Sequence, residues 1–230
     1  MMYKVQQRGV SYSTALGVLG MTGFTSYFGL YHVGECKAGD NVLVSAAIGG
    51  VGSNVGNLAK IKGAKAVGMA STDEKCRILT NKLGYVGAIN YKTENIAERI
   101  DHFFPEGIDV YFDNVGGEIL DIALTKIRRY ARVVECGRIS QYEETQDKGG
   151  YALNNWHRIG LTRSKMIGFF IYDFEKDFPK AELEMAAWIK AGKLTYQEDI
   201  LDGLENMPYA LNRLFERKNI GKQLVRIANE

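Results

Sequence analysis

The stretch VSAAIGGVGSNVGNLAK, Val44 to Lys60, passes from apolar residues through a cluster of glycines into helical spacing. Ahead of it, after a turn signal at KAGD, NVLVSA (Asn41 to Ala46) reads as a short strand buried on both faces. Behind it, SNVGNLAKIKG (Ser53 to Gly63) sets Val55, Leu58, Ala59 and Ile61 on one helical face. Ala46, Gly49 and Gly52 thus stand at AxxGxxG spacing in a strand-to-helix turn, the context that lifts a glycine pattern above chance. In a dinucleotide fold the first of these positions permits a tight turn. The middle of the loop lets backbone N–H groups approach a pyrophosphate, and Gly52 lets the helix pack on the strand. The phosphates then lie at the positive end of the helix. Two other readings of this turn stay open: one that binds nothing, and a related sheet that takes a nucleoside cofactor such as S-adenosylmethionine.

Working outward, the alternation repeats. AKAVGMA, GAINY, IDVYFDNV and ARVVECG read as strands, separated by the helical stretches DEKCRILTNKLG, TENIAERIDHFF and GEILDIALTKI. Strands apolar on both faces, alternating with helices, imply parallel pairing through right-handed crossovers, hence an α/β, doubly wound Rossmann-like sheet. Residues 137–162 read as irregular and polar, SKMIGFFIY as a further strand, and DFPKAELEMAAWIKAGKL as an amphipathic helix. The tail reads as a short strand, a helix with Pro208 in its first turn, a glycine turn and the strand KQLVRIA, which needs a partner.

Composition bounds the function. The 230 residues hold 29 basic and 27 acidic side chains, a net charge of +2, and no basic run that would track nucleic acid or an anionic membrane. Gly9 to Gly34 has no charged residue, but Gly, Ser and Thr interrupt it throughout, so buried, close-packed helix turns suit it better than a membrane span. Cys36, Cys76 and Cys136 are odd in number and form no CxxC, which argues against a disulfide framework or zinc cluster and for a reducing cytoplasm. His32, His102 and His157 lack metal-ligand spacing, so no metal is expected.

Where the second strand ends, a dinucleotide fold would carry an acid to grip the adenosine ribose 2′-hydroxyl. Here MASTDEK offers Ala70, Ser71 and Thr72. Without that acid a 2′-phosphate is not repelled, and Lys75 in the next helical turn is a cation able to reach one, although Asp73 lies close by. NADP is therefore favoured over NAD.

LGMTGFTSYFGL, the glycine stretch through STDEKC, AINYKTE, GIDVYFDNVGGEILD, CGRISQY, GLENMPYAL and NIGKQLV together give a resemblance spanning nearly the whole chain, weakest over 143–165. It resembles the zinc-independent medium-chain dehydrogenase/reductases, in particular the NADPH-dependent alkenal/enone reductases that include prostaglandin and curcumin reductases. The resemblance implies hydride transfer from NADPH to the β-carbon of an α,β-unsaturated aldehyde or ketone. It implies pyrophosphate at the loop Ala47, Gly49, Gly50, Val51 and Gly52, and the 2′-phosphate at Ser71, Lys75 and Tyr91. Asn114 would sit beside the cofactor. Cys136, Gly137, Ile139, Ser140 and Tyr142 would line its nicotinamide half, with Phe169, Phe170 and Ile171 across from them and Asn219 closing from the tail. Charge driven onto the carbonyl oxygen needs a donor, for which Tyr142 is the candidate catalytic residue.

The family carries a barrel-like catalytic domain ahead of LGMTGFTSYFGL. The expected division is therefore 1–27 as a junction remnant, 28–195 as the NADP-binding domain and 196–230 as the return segment of the catalytic domain. Thr22, where relatives carry proline, and the polar residues 144–162 depart from the family pattern. An open cleft would lose the dry environment that strengthens the enolate contact, so a non-catalytic NADP-binding, dimerising module stands as one alternative; a quinone reductase of the same superfamily, to be told apart by preference for quinones over alkenals, is another. A homodimer is expected through the apolar SKMIGFFIY edge. Neither nucleic acid nor a membrane is an expected partner.

Overall fold

The structure is a computed structural model that describes residues 8–141 and 150–228. Six parallel strands form the main sheet in the order β3-β2-β1-β4-β5-β6. They are β1 (Asn41–Val44), β2 (Lys65–Ala70), β3 (Gly87–Asn90), β4 (Ile108–Asp113), β5 (Ile127–Glu135) and β6 (Lys165–Gly168). The strand order reverses between β1 and β4, and a doubly wound sheet opens its binding crevice at the carboxyl ends of the strands at such a point.

The apolar runs that read as doubly buried strands are so. Val42, Leu43 and Val44 of β1 are fully buried, and every residue of β4 lies in the interior. Burial of each such side chain contributes about 1.5–3 kcal/mol. The crossover helices are α2 (Gly52–Ile61), α3 (Asp73–Lys82), α4 (Ile96–Phe103) and α5 (Gly117–Leu124). Thr72 caps α3 by accepting the Lys75 amide at 3.2 Å, and Asn95 caps α4 by accepting that of Glu98 at 3.3 Å. The uncharged opening segment forms short helical turns, among them α1 (Met21–Phe28). There a Cβ at Gly23 would lie 1.7 Å from the Val18 carbonyl oxygen, so only glycine allows that approach. No helix among the described residues is long and apolar enough to cross a membrane.

Two sequence readings require correction. SKMIGFFIY is a strand only over Lys165–Gly168. β6 is the sheet edge and pairs with β5 alone, their register ends at Glu135 opposite Gly168, and no ladder remains beyond. Ile171–Asp177 is instead a 3-10 helix, and Phe169 turns inward to pack on the main core. The polar region 137–162 contains α6 (Arg158–Thr162). Its approach is pinned by Asp121 of α5, which accepts the Asn155 amide at 2.8 Å and the Asn154 side-chain amide and Tyr151 hydroxyl at 3.3 Å each. Burial opposes charge on Asp121, but those donors outweigh it and hold its carboxyl below the usual range.

The helix α7 (Phe178–Lys190) stacks Phe178 on Phe24 of α1 at 4.5 Å between ring centroids. In the tail, β7 (Glu198–Asp202), α8 (Met207–Phe215) and β8 (Lys222–Arg226) follow, and β8 finds its partner in β7, in parallel. Asp199 of β7 takes both terminal nitrogens of Arg213, at 2.8 and 3.1 Å, and the Ile220 amide at 3.1 Å. That clamp fixes the end of α8 over the carboxyl edge of the main sheet.

Candidate functional site

A cavity of about 490 Å³ opens at the switch point, between the glycine loop, the ends of β2 and β3, the start of α5 and the tail. Its loop wall is held rigid from behind. Ser26 donates to the Val51 carbonyl at 2.8 Å, the Asn54 side-chain amide to that of Gly50 at 2.9 Å, and the Tyr85 hydroxyl to that of Gly52 at 2.6 Å. In a trans peptide the N–H lies opposite the C=O, so anchoring the Gly50 and Val51 carbonyls turns the Val51 and Gly52 amides away from these partners. No side chain caps α2, whose N-terminus carries the positive end of the helix dipole. Ala46 adopts the left-handed conformation at φ 45°, so the tight turn at the first motif position is made without glycine.

The tail closes the opposite side. The Gly221 amide donates to the Ile48 carbonyl at 2.8 Å, and Gly49 bridges to Gly221 in parallel. Asn219 lines the cavity with its side-chain amide donated to the Gly221 carbonyl at 2.9 Å.

At the β2 and β3 end the lining is cationic. Lys75 is only 7% exposed, and its Nζ donates to the Arg217 carbonyl at 2.5 Å. Arg217 Nη1 donates to the Tyr91 hydroxyl at 3.2 Å. Desolvation, helped by the charge of Lys92, pulls the Lys75 ammonium below its usual 10.5. Asp73 does not line this cavity; its carboxylate accepts the Asn90 side-chain amide at 2.7 Å. The acid that the sequence sets near Lys75 is thus committed to the β3 turn. Met69, Ile96 and Ile119 add apolar lining.

At the end of β4, the fully buried Asp113 organises the turn into α5. It accepts the Ser45 hydroxyl at 2.8 Å, the Tyr111 hydroxyl at 2.9 Å and the Val115 and Gly116 amides at 3.0 and 3.1 Å. Burial and the neighbouring Asp113 charge push the Tyr111 phenol well above its usual value, so it remains a donor.

Of the residues singled out in the sequence, Gly49, Gly50, Ser71, Lys75, Tyr91, Ile139, Ser140 and Asn219 meet in this cavity. Ala47 lies fully buried beneath it, Gly52 is buried where α2 meets β1, and Val51 packs partly on the core. Asn114 staples two strand ends, donating its side-chain amide to the Ser45 carbonyl at 2.8 Å. The Cys136 and Gly137 amides donate to the Asp113 carbonyl at 2.8 and 3.1 Å, and burial pushes the Cys136 thiol up to about 12. Phe169 and Ile171 face the core, while Phe170 is 63% exposed. Tyr142 lies outside the described residues. Sequence reasoning missed the charged lining residues Arg217 and Glu118 and the apolar Met69, Ile96 and Ile119; in a row of charged residues after α8, nothing distinguishes Arg217 from surface charge.

The family model described as zinc-binding dehydrogenase matches residues 50–188. The chain belongs to that family. Within the medium-chain dehydrogenase/reductase superfamily it is alkenal/prostaglandin/curcumin reductase-like. It is 44% identical over 218 residues to a putative NADP-dependent oxidoreductase, YfmJ, of Bacillus subtilis, covering 94% of this chain and 64% of that one. It is 41% identical over 230 residues to a 2-alkenal reductase (NADP(+)-dependent) of Nicotiana tabacum, covering 100% of this chain and 66% of that one. The chain thus spans a little under two thirds of either relative's length. The crystal structure of CurA in complex with NADPH from Vibrio vulnificus superposes with a TM-score of 0.88 at 39% identity, over 95% of this chain and 66% of that one. The described residues do not fit the zinc in the family's description, because no group of three or more His, Cys, Asp or Glu side chains among them could hold a metal ion.

Proposed function

We propose that the chain binds NADP(H) and serves the reduction of the carbon–carbon double bond of α,β-unsaturated aldehydes or ketones. The observation that carries this reading is the meeting of Lys75 and Tyr91 at the ends of β2 and β3, beside a rigid glycine loop, with Asp73 bonded to Asn90. Such a group of donors selects an anion where a ribose hydroxyl would otherwise be gripped by an acid. Identity of 44% to a protein named NADP-dependent and of 41% to one named a 2-alkenal reductase supports the same reading.

The residues present fit the cofactor. A Cβ at Gly52 would lie 2.5 Å from the Ala46 carbonyl oxygen, so glycine there sets how closely α2 and its dipole approach the loop. When bound, NADPH supplies the hydride. The loop amides and the N-terminus of α2 would hold pyrophosphate, and Met69, Ile96 and Ile119 offer an apolar slot for a planar base. Residues 28–195 act as the cofactor-binding unit, and 196–230 bring Asn219 and Arg217 to its mouth. Tyr142 is the proposed hydroxyl donor to the charge that develops on the substrate oxygen.

The test is loss of NADPH absorbance with a simple 2-alkenal. Turnover with the alkenal, faster than with a quinone, is expected. Preference for the quinone would reassign the substrate, and tight NADPH binding without consumption would make the chain a cofactor-binding module.

We further propose a homodimer through the edge strand β6, supported by the exposed Phe170, Tyr172, Trp156 and Leu161 around that region. Light scattering should give twice the chain mass, and a monomeric mass excludes it. The buried Cys36, its thiol pushed up to about 12, and the half-buried Cys76, pushed up to about 11, suit a reducing compartment.

A further inference from the structure

The end of α8 has a feature that packing alone does not require. The Lys218 amide donates to the Arg213 carbonyl at 2.9 Å and the Arg217 amide to the Leu214 carbonyl at 3.1 Å. These are the paired bonds of a Schellman motif, whose left-handed position favours glycine. Here that position is Arg217, at φ 56°. A side chain in this conformation costs about 1 kcal/mol or more relative to glycine. What the chain obtains there is visible at the cavity: the Arg217 carbonyl takes the Lys75 ammonium, and its guanidinium reaches across to the Tyr91 hydroxyl.

We infer that Arg217 is a specificity-determining residue, the third donor of a 2′-phosphate pocket otherwise made by Lys75 and Tyr91, and that its strained backbone is kept for the guanidinium. The inference rests on the cofactor reading above and deepens it. Its charge surroundings agree. Lys75, Lys92 and Arg217 converge here with Arg213, which is paired to Asp199; Asp73 accepts from Asn90, and Glu74 is the further acid whose charge acts on Lys75. A planar guanidinium offers a phosphate two parallel N–H donors, which the compact Lys75 ammonium cannot. Because Arg217 follows α8 in the chain, the pocket takes one wall from the six-stranded sheet and the other from the tail.

The experiment is calorimetric titration of the full chain with 2′,5′-ADP and with 5′-AMP, which differ at the 2′ position alone, together with a thermal melt. Arg217→Gly should weaken 2′,5′-ADP about five- to tenfold at low salt and leave 5′-AMP unchanged. The same substitution relieves the left-handed backbone, so its thermal midpoint should rise; the two readouts move in opposite directions, as a structural role for Arg217 would not allow. Arg217→Lys should fall between wild type and Arg217→Gly for 2′,5′-ADP. Equal affinity of wild type and Arg217→Gly for 2′,5′-ADP overturns the inference and leaves the cofactor reading standing. Parallel loss for both nucleotides also overturns it, by making Arg217 a general support of the cleft. Failure of wild type to bind either nucleotide overturns the cofactor reading itself.

Discussion

Lys75→Met should weaken NADPH binding about 10- to 100-fold while NADH binding stays nearly level, as read by fluorescence titration. Methionine keeps most of the buried aliphatic stem and deletes the charge, so the loss reports the contact with phosphate; a charge-assisted hydrogen bond contributes about 1.5–3 kcal/mol. Burial first and Lys92 second lower this ammonium below the usual 10.5, which adds a pH signature. Between its lowered value and 10.5 the unfolded chain carries more protons at this site than the folded one. The stability of the protein without nucleotide therefore gains from this group as pH climbs through that window. NADPH affinity moves the other way, because the cation it needs is being lost. Equal weakening of NADPH and NADH by Lys75→Met would remove the phosphate assignment.

Asp113→Ala should cost about 3–5 kcal/mol, seen as a lowered urea midpoint with little change in slope, because a buried network loses its common acceptor. Two hydroxyls, from Ser45 and Tyr111, and two amides, from Val115 and Gly116, meet on this carboxylate. A loss of that size is a large part of the stability of an ordinary domain. Tyr111→Phe, which removes one donor and leaves the acceptor in place, should cost only about 1 kcal/mol. If Asp113→Ala matched it, the carboxylate would be a bystander and the turn into α5 would be held by the strand ladder alone.

The fold was legible where a period repeats. β1, β2 and β4 are buried on both faces and read as apolar runs, and Gly52 could be assigned to close packing from its spacing in a strand-to-helix turn. Reading failed where a boundary depends on what lies alongside. SKMIGFFIY has strand composition to its end, yet its ladder stops at Gly168 because its neighbour β5 stops at Glu135. The short α6 was missed because its approach is anchored by Asp121, more than 30 positions away in the chain.

For the site, the glycines and Lys75 stand out by their offsets within a strand–turn–helix unit, whereas Tyr91 is reached only through the family resemblance. Arg217 and Asp113 do not stand out. Arg217 reaches the cavity through a backbone conformation and a partner 126 positions away, and Asp113 gathers donors from three segments. The meaning of Asp73 likewise depended on Asn90, since only the accepted hydrogen bond separates a sugar-gripping acid from a turn residue.

The wall supplied by the tail also sets an order in time. Lys75 leaves the ribosome 142 residues before Arg217. At about 5–20 residues per second, a growing chain spends on the order of ten seconds with half a pocket. During that interval Lys75 and Tyr91 can fold into the sheet, but the bridge from Gly221 to Gly49 and the guanidinium opposite have yet to be made. The cavity that the cofactor reading assigns to nucleotide is thus completed late, once translation has passed Gly221.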